Sequence, residues 1–127
     1  MALIVVDASV VIALRSPRDA HHAAAVAAFD RHRDDELVLP ASAYAEILVE
    51  PAAAGAAALR RAKAIVDAFP LRIEPVTREI AERAAQLRRR LRLPDALVVA
   101  TGESIRADAV LTADRRWSKA SRRVRVI

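Results

Sequence analysis

The sequence predicts an α/β domain in which a central parallel sheet carries helices on both faces. Leu3-Ile4-Val5-Val6 is a run of large apolar residues without a polar break, as expected of a strand buried on both faces. Shorter runs of the same kind stand at Leu37-Val38-Leu39 and Ala109-Val110-Leu111. Between these runs lie stretches with helical spacing, and crossovers of that length join parallel strands, whereas antiparallel ones need only a tight turn. A chain of 127 residues is long enough to bury a substantial core. No repeat, low-complexity tract or linker divides it, so residues 1–127 read as a single domain.

The elements follow in order. The first strand ends at Asp7, and Ser9 is placed to cap a short apolar helix over 10–14. Ser16-Pro17-Arg18-Asp19 has the form of a helix start, with a capping hydroxyl, a proline in the first turn and an acid after it. That helix is expected to reach about His32, with Val26 and Phe29 facing inward. Asp34-Asp35 turns the chain into a second strand that Pro40 ends. A helix over about 42–50 is expected to stop at Pro51, because a proline ring clashes with the preceding turn.

Beyond Gly55, the positions Leu59, Ala62, Val66 and Phe69 mark one face of another helix. Leu71-Arg72-Ile73 reads as an edge strand because Pro75 follows so soon. Thr77 caps a helix with the apolar stripe Ile80, Ala84, Leu87 and Leu91. Pro94 opens the next helix, whose Leu97-Val98-Val99-Ala100 is apolar all round and therefore buried, and which Gly102 interrupts. The Ala109 strand follows, and 124–127 supplies the last one.

Composition narrows the function classes. There is no cysteine, which excludes a disulfide framework and thiolate chemistry. No leader-like N-terminus and no membrane-length apolar run is present, so the chain reads as soluble and cytoplasmic. The net charge of +5 is concentrated: Arg115, Arg116, Lys119, Arg122, Arg123 and Arg125 lie within a C-terminal stretch that holds no acid, and the rest of the chain is nearly neutral. A second basic cluster is Arg88-Arg89-Arg90 with Arg92. Either could contact phosphates, or could simply solvate a helix face and a tail.

The acids carry more information. Asp7 ends the first strand, and Asp114 follows the end of the Ala109 strand. Glu46 is early on the helix that leaves the second strand, and Asp95 is in the first turn of the buried helix. A helix leaving a strand starts at the edge where that strand ends, so all four belong to the carboxyl rim, where open α/β sheets place their ligands. Asp108 precedes its strand and belongs at the opposite edge, roughly 13 Å away. Singly, each acid has an ordinary structural use: Asp95 or Asp7 as a cap, Asp114 in a turn, Glu46 in solvent. Together their mutual repulsion calls for protons or a cation, and an all-oxygen donor set suits Mg2+ or Mn2+.

Asp7-x-Ser9 after a first strand, Glu46 on a mid-chain helix, Leu93-Pro94-Asp95-Ala96-Leu97, and Leu111-Thr112-Ala113-Asp114-Arg115-Arg116-Trp117 together resemble the PIN domain. Within that family they are most similar to the VapC toxins of type II toxin–antitoxin pairs. The similarity covers the whole chain, and the last two motifs are the most specific. It implies a PIN-like three-layer sandwich with a parallel sheet of order 3-2-1-4-5 and a Mg2+- or Mn2+-dependent endoribonuclease activity. By the same resemblance Asp7, Glu46, Asp95 and Asp114 are the catalytic quartet, with Ser9 and Thr112 at the hydroxyl positions beside it. Asp7, Asp95 and Asp114 would be direct metal ligands, and Glu46 would orient water. Arg115, Arg116, Arg122, Arg123 and Arg125 would hold the RNA backbone, which gives affinity without sequence choice.

A VapB-like antitoxin and a homodimer are implied as partners. An arginine or lysine of the antitoxin is expected beside Asp7 and Asp95, with its apolar residues near Val26 and Phe29 or on the helix carrying Tyr44. Two other classes fit less well. A haloacid-type phosphatase wants a second Asp where Ser9 stands, and a receiver domain wants a lysine at the end of a late strand, but Lys63 and Lys119 lie elsewhere. A catalytically weak PIN module that binds RNA or protein is the remaining alternative. His21, His22 and His32 read as surface residues remote from the rim. Tyr44 reads as core, and Trp117 as packing under the turn, with base stacking as a second use.

Overall fold

A computed structural model describes all of residues 1–127. β1 (Leu3–Val6) takes the centre of the sheet because Ile4, Val5 and Val6 can be buried on both sides. β2 (Glu36–Pro40) lies on one side of it and β4 (Ala109–Thr112) on the other, with Val5 in register with Val38 and with Val110. β3 (Leu71–Glu74) and β5 (Val124–Val126) form the edges, and all pairings are parallel. The order is β3-β2-β1-β4-β5, as the resemblance implies, with helices around the sheet. Leu71-Arg72-Ile73 is the edge strand anticipated, and its Ile73 is exposed.

The helices are α1 (Ala8–Arg15), α2 (His22–Arg31), α3 (Ala41–Ala54), α4 (Ala56–Asp67), α5 (Arg78–Leu87) and α6 (Leu93–Ser104). None is long and apolar enough to cross a membrane. Thr77 caps α5 as expected, its hydroxyl accepting from the Ile80 N–H at 3.2 Å. Ile80, Ala84 and Leu87 are buried, while Leu91 is buried beyond the helix end.

Several boundaries differ from the sequence expectation for local reasons. Ser9 does not cap α1. The helix already begins at Ala8, and the hydroxyl is drawn to the Asp7 carboxylate instead. α2 starts at His22 rather than near Pro17, because the Asp19 side chain accepts from the His21 N–H at 2.8 Å and keeps residues 17–21 in turns. With that start the inward stripe is Ala25 and Ala28, Phe29 packs on Phe69 at 5.7 Å between ring centroids, and Val26 faces solvent. α3 runs through Pro51. The proline forfeits one backbone bond, and three alanines, the strongest helix formers, carry a further turn. Gly55 then reverses the chain at φ 126°.

The early helix's histidines are tethered rather than free. His22 Nδ1 is 2.8 Å from the Ala13 carbonyl, and His32 Nδ1 is 2.8 Å from Asp35 Oδ2.

Gly102 does not break α6; it lets the helix approach β4. A Cβ added there would lie 2.5 Å from Val110 Cγ2. Alanine ordinarily gains about 1 kcal/mol over glycine inside a helix. Overpacking against a fully buried central strand costs about 1–3 kcal/mol, so the second effect wins. Gly102→Ala is therefore expected to lower the melting temperature. The pair Gly102→Ala/Val110→Ala should be more stable than Val110→Ala alone, which thermal denaturation of the three variants checks.

The amino edge of the sheet has acids of its own, used as clamps. Asp35 Oδ1 accepts from the Ala2 N–H and Asp108 Oδ2 from the Leu3 N–H, each at 2.8 Å. The Ala2 N–H, with His32 behind it, holds the Asp35 carboxyl below the ordinary range. Asp108 thus sits at the edge opposite Asp7, where it fixes the start of β1.

Candidate active site

The carboxyl edge gathers the four acids. A cavity of about 140 Å³ is lined by Asp7, Ser9, Glu46, Arg92, Asp95 and Asp114, with Ala8, Ile12 and Trp117 completing the wall. Its size admits an ion with part of its water shell, not a nucleobase.

Asp7 leaves β1 at the N-cap position of α1, but its side chain caps nothing. Its Oδ2 instead accepts two hydroxyl bonds, from Ser9 Oγ at 2.6 Å and from Thr112 Oγ1 at 3.1 Å. Each hydroxyl has one proton to give and lone pairs left to accept. Ser9 Oγ therefore also takes the Ala113 N–H at 3.0 Å, and Thr112 Oγ1 the Asp114 N–H at 3.1 Å. These four bonds tie the β4 exit to the β1 exit and hold the Asp7 carboxylate through its Oδ2.

Asp7 is only 5% exposed. Burial pushes its pKa up; the two hydroxyls oppose that shift, and the nearby Asp95 adds to it. Glu46, one turn into α3 and exposed at the rim, is also pushed up, by partial desolvation first and then by the charges of Asp7 and Asp95, with Arg92 pulling the other way.

Asp95 lies in the first turn of α6 behind Pro94, where the helix dipole favours a negative charge. It caps nothing, since Arg92 is at the N-cap, and it is 8% exposed on the cavity wall. Asp114 has both roles foreseen for it. It caps the short 3-10 turn Arg115–Trp117 by accepting the Arg116 N–H at 2.9 Å, and it lines the cavity. The Arg116 guanidinium grips it in a fork, Nε to Oδ1 at 3.0 Å and Nη2 to Oδ2 at 2.6 Å, and holds its pKa below the ordinary range.

The donors are all oxygens, a set suited to a hard divalent cation. No three acid or histidine side chains stand close enough to enclose one ion in this arrangement. What the pocket offers is one or two carboxylates with room for water, the mode in which Mg2+ is usually held.

The basic residues divide. Arg115 and Arg116 stand at this rim, both exposed. Arg122, Arg123 and Arg125 line a different cavity with Asp108 and Arg106 at the amino edge of the sheet, away from the acids. Trp117 is 1% exposed and packs beneath the turn, so it presents no face for stacking. Tyr44 is half-buried against the core.

Two roles at the site were not read from the sequence. Arg92 lines the pocket with its Nε 3.5 Å from Asp95 Oδ2, and Arg116 saturates Asp114. The signals were local: an arginine three residues before Asp95, and one two residues after Asp114.

Solved structures share this architecture. A toxin–antitoxin complex from Klebsiella pneumoniae superposes with a TM-score of 0.77 at 22% identity, covering 99% of this chain and 97% of that one. The sarcin–ricin loop-cleaving toxin VapC20 of Mycobacterium tuberculosis gives 0.72 at 24% identity, with coverages of 93% and 95%. FitAcB of Neisseria gonorrhoeae gives 0.75 at 20% identity, with 95% of both chains covered. At these identities the likeness establishes the fold. No curated protein matches the chain by sequence. The PIN-domain family model, however, matches residues 4–123, nearly the whole length, and the chain belongs to the PIN-domain family.

Proposed function

We propose that this chain is a divalent-metal-dependent endoribonuclease of the VapC type, the toxin of a type II toxin–antitoxin pair. The observation that carries the reading is the meeting of Asp7, Glu46, Asp95 and Asp114 on one small cavity at the carboxyl edge of a PIN-ordered sheet. Of Asp7, Asp95 and Asp114, one or two would ligate Mg2+ or Mn2+ directly and the rest would reach it through water. When bound, such an ion offers Lewis acidity to the scissile phosphate and acidifies water.

The chain's own residues do the rest. Ser9 and Thr112 hold the Asp7 carboxylate through Oδ2, which presets its orientation at the cavity it lines. Glu46, with its raised pKa and no hydrogen-bond partner of its own, orients water and takes up its proton. Arg116 is 73% exposed, so its guanidinium can leave Asp114 for a phosphate, freeing the carboxylate as the RNA arrives.

The fold neighbours from Klebsiella pneumoniae and Mycobacterium tuberculosis, a toxin–antitoxin complex and an RNA-loop-cleaving toxin, support the biological assignment. So does a groove of about 490 Å³ between α1, α3 and α4, lined by Ile12, Arg15, Pro51, Ala58, Ala62 and Ile65. Ile12 lines the acid cavity as well, so an antitoxin segment lying in the groove would end at the carboxylates. The groove lies partly on α3, the helix that carries Tyr44, which is the second of the two docking faces expected from the sequence. A homodimer belongs to the same reading.

One observation favours the alternative of a PIN module that binds without turnover: the fork from Arg116 already neutralises Asp114. Cleavage of a total RNA pool by the purified chain, with and without Mg2+ or Mn2+, separates the two. Metal-dependent fragments support the nuclease, and intact RNA that remains bound supports the module.

A further inference from the structure

The basic residues at the amino edge of the sheet form a site of their own. Arg106, Arg122, Arg123 and Arg125 line one cavity of about 490 Å³ together with Ala107 and Asp108. None of the four arginines makes a salt bridge, whereas Arg72, Arg83 and Arg116 are each paired with carboxylates. The one acid present is engaged, since Asp108 Oδ2 holds the Leu3 N–H. Arg125 is braced by its Nη1 against the carbonyls of Arg122 at 2.7 Å and Val124 at 2.9 Å. Nε of Arg123 is buried without a partner. Four cationic side chains thus share one cavity with a single carboxylate that none of them pairs with.

Arg106 supplies a second, independent observation. α6 ends in a Schellman turn, in which the Ala107 N–H bonds to the Gly102 carbonyl at 2.9 Å and the Arg106 N–H to the Glu103 carbonyl at 3.2 Å. Arg106 sits at the left-handed position of that turn with φ 56°, the only non-glycine residue of the chain with positive φ. Glycine is favoured there and a side chain is strained. The side chain carried on this strained backbone lines the arginine cavity. Strain of this kind, kept at a particular position, points to a use for the side chain.

We propose that this cavity is a phosphate-binding exosite for single-stranded RNA. Segment 115–123 is the track that connects it to the acid pocket. That segment leaves the carboxyl edge at Asp114 and returns to the amino edge, where β5 begins. It carries Arg115, Arg116, Lys119, Arg122 and Arg123 and no acid. A strand whose scissile phosphate lies at Asp7 would pass along it and deliver a distant phosphate to the arginines, whose guanidinium forks match phosphate oxygens. The choice of RNA rests on the nuclease reading above; the charge, the strain and the placement do not.

The test measures binding in excess chelator, so cleavage plays no part in it. The probes are a labelled oligouridylate long enough to span both ends of the sheet and a uridine dinucleotide. The double variant Arg106→Gly/Arg122→Gln is expected to bind the long probe about tenfold more weakly at low salt. Its log–log salt slope should be shallower by roughly 0.7 for each phosphate the variant no longer holds. Dinucleotide binding should match wild type, and Arg60→Gln on α4 should change neither probe. Arg106→Gly alone should melt no lower than wild type, because glycine relieves the strained turn, so lost binding is not lost folding.

Unchanged affinity and slope for the long probe overturn the exosite, as does an equal loss in Arg60→Gln, which would mean bulk charge. If wild type cleaves nothing with metal but the slope difference holds, the exosite stands and the nuclease reading falls. If wild type cleaves and the slope difference is missing, the nuclease reading stands and the exosite falls.

Discussion

Asp7→Asn is expected to abolish RNA cleavage while making the metal-free protein more stable than wild type. The two effects come from the same atom group. Asparagine keeps the shape, and its carbonyl can accept the Ser9 and Thr112 hydroxyls as Oδ2 does now, so the β1–β4 stitching survives. What disappears is a negative charge that is almost fully buried beside Asp95 and Glu46. With Asp7 as a ligand, as proposed, its loss should lower turnover by at least about a hundredfold, since even outer-shell losses at metal sites cost about 10–100-fold.

The pH dependence of stability follows from the raised Asp7 pKa. The folded state binds this proton more tightly than the unfolded chain does. The contribution is therefore fully present below the unfolded carboxyl value and is lost as pH rises through the higher folded value. At neutral pH the wild type carries that loss and Asp7→Asn does not. Glu46 works in the same direction. Thermal melts of both proteins in chelator should show the variant higher by a few degrees at neutral pH and the gap closing in acid. About 1 kcal/mol corresponds to about 4 °C for a domain of this size. Asp108→Asn is the control: asparagine can still accept the Leu3 N–H, and turnover at saturating RNA should be unaffected.

How much of this was legible in the sequence differs by element. β1 and its terminal Asp7 were plain, because an unbroken apolar run has to be buried and a charge at its end has to emerge at an edge. The rim assignment of Glu46, Asp95 and Asp114 followed from chain direction alone, as did the opposite placement of Asp108. The misses came where a side chain chose a partner that local pattern does not specify. Ser9 looks like a cap, but it bonds to Asp7 because Thr112 and Ala113 are brought alongside from the far end of the chain. Pro51 looks like a stop, yet the alanines after it carry the helix on. Gly102 looks like a flaw in a helix and is instead the point of closest approach to Val110. The C-terminal arginines look like one cluster in sequence, but the crossing between β4 and β5 splits them between the two ends of the sheet.

The second large effect is expected in cells. Induction of this chain alone should arrest growth, and co-expression with a VapB-like antitoxin should restore it. A cavity of four carboxylates attracts cations other than metal, and a guanidinium matches carboxylate geometry with paired bonds. An antitoxin arginine or lysine beside Asp7 and Asp95 would block the ion, while apolar residues next to it fill the groove between α1, α3 and α4. Asp7→Asn should remove the toxicity yet still co-purify with the antitoxin, because most of the groove is untouched. If the chain neither arrests growth nor co-purifies with the product of a neighbouring gene, the toxin assignment fails, even where cleavage is seen.

On the proposed reading the acid cavity is a metal-dependent cleavage centre. Its most direct test is an RNA cleavage time course with the purified chain, run with Mn2+ or Mg2+, then with excess chelator, then with metal restored. Cleavage should stop on chelation, return with metal, and weaken at low pH as protons compete for the carboxylates. Cleavage that continues unchanged in excess chelator would contradict the account.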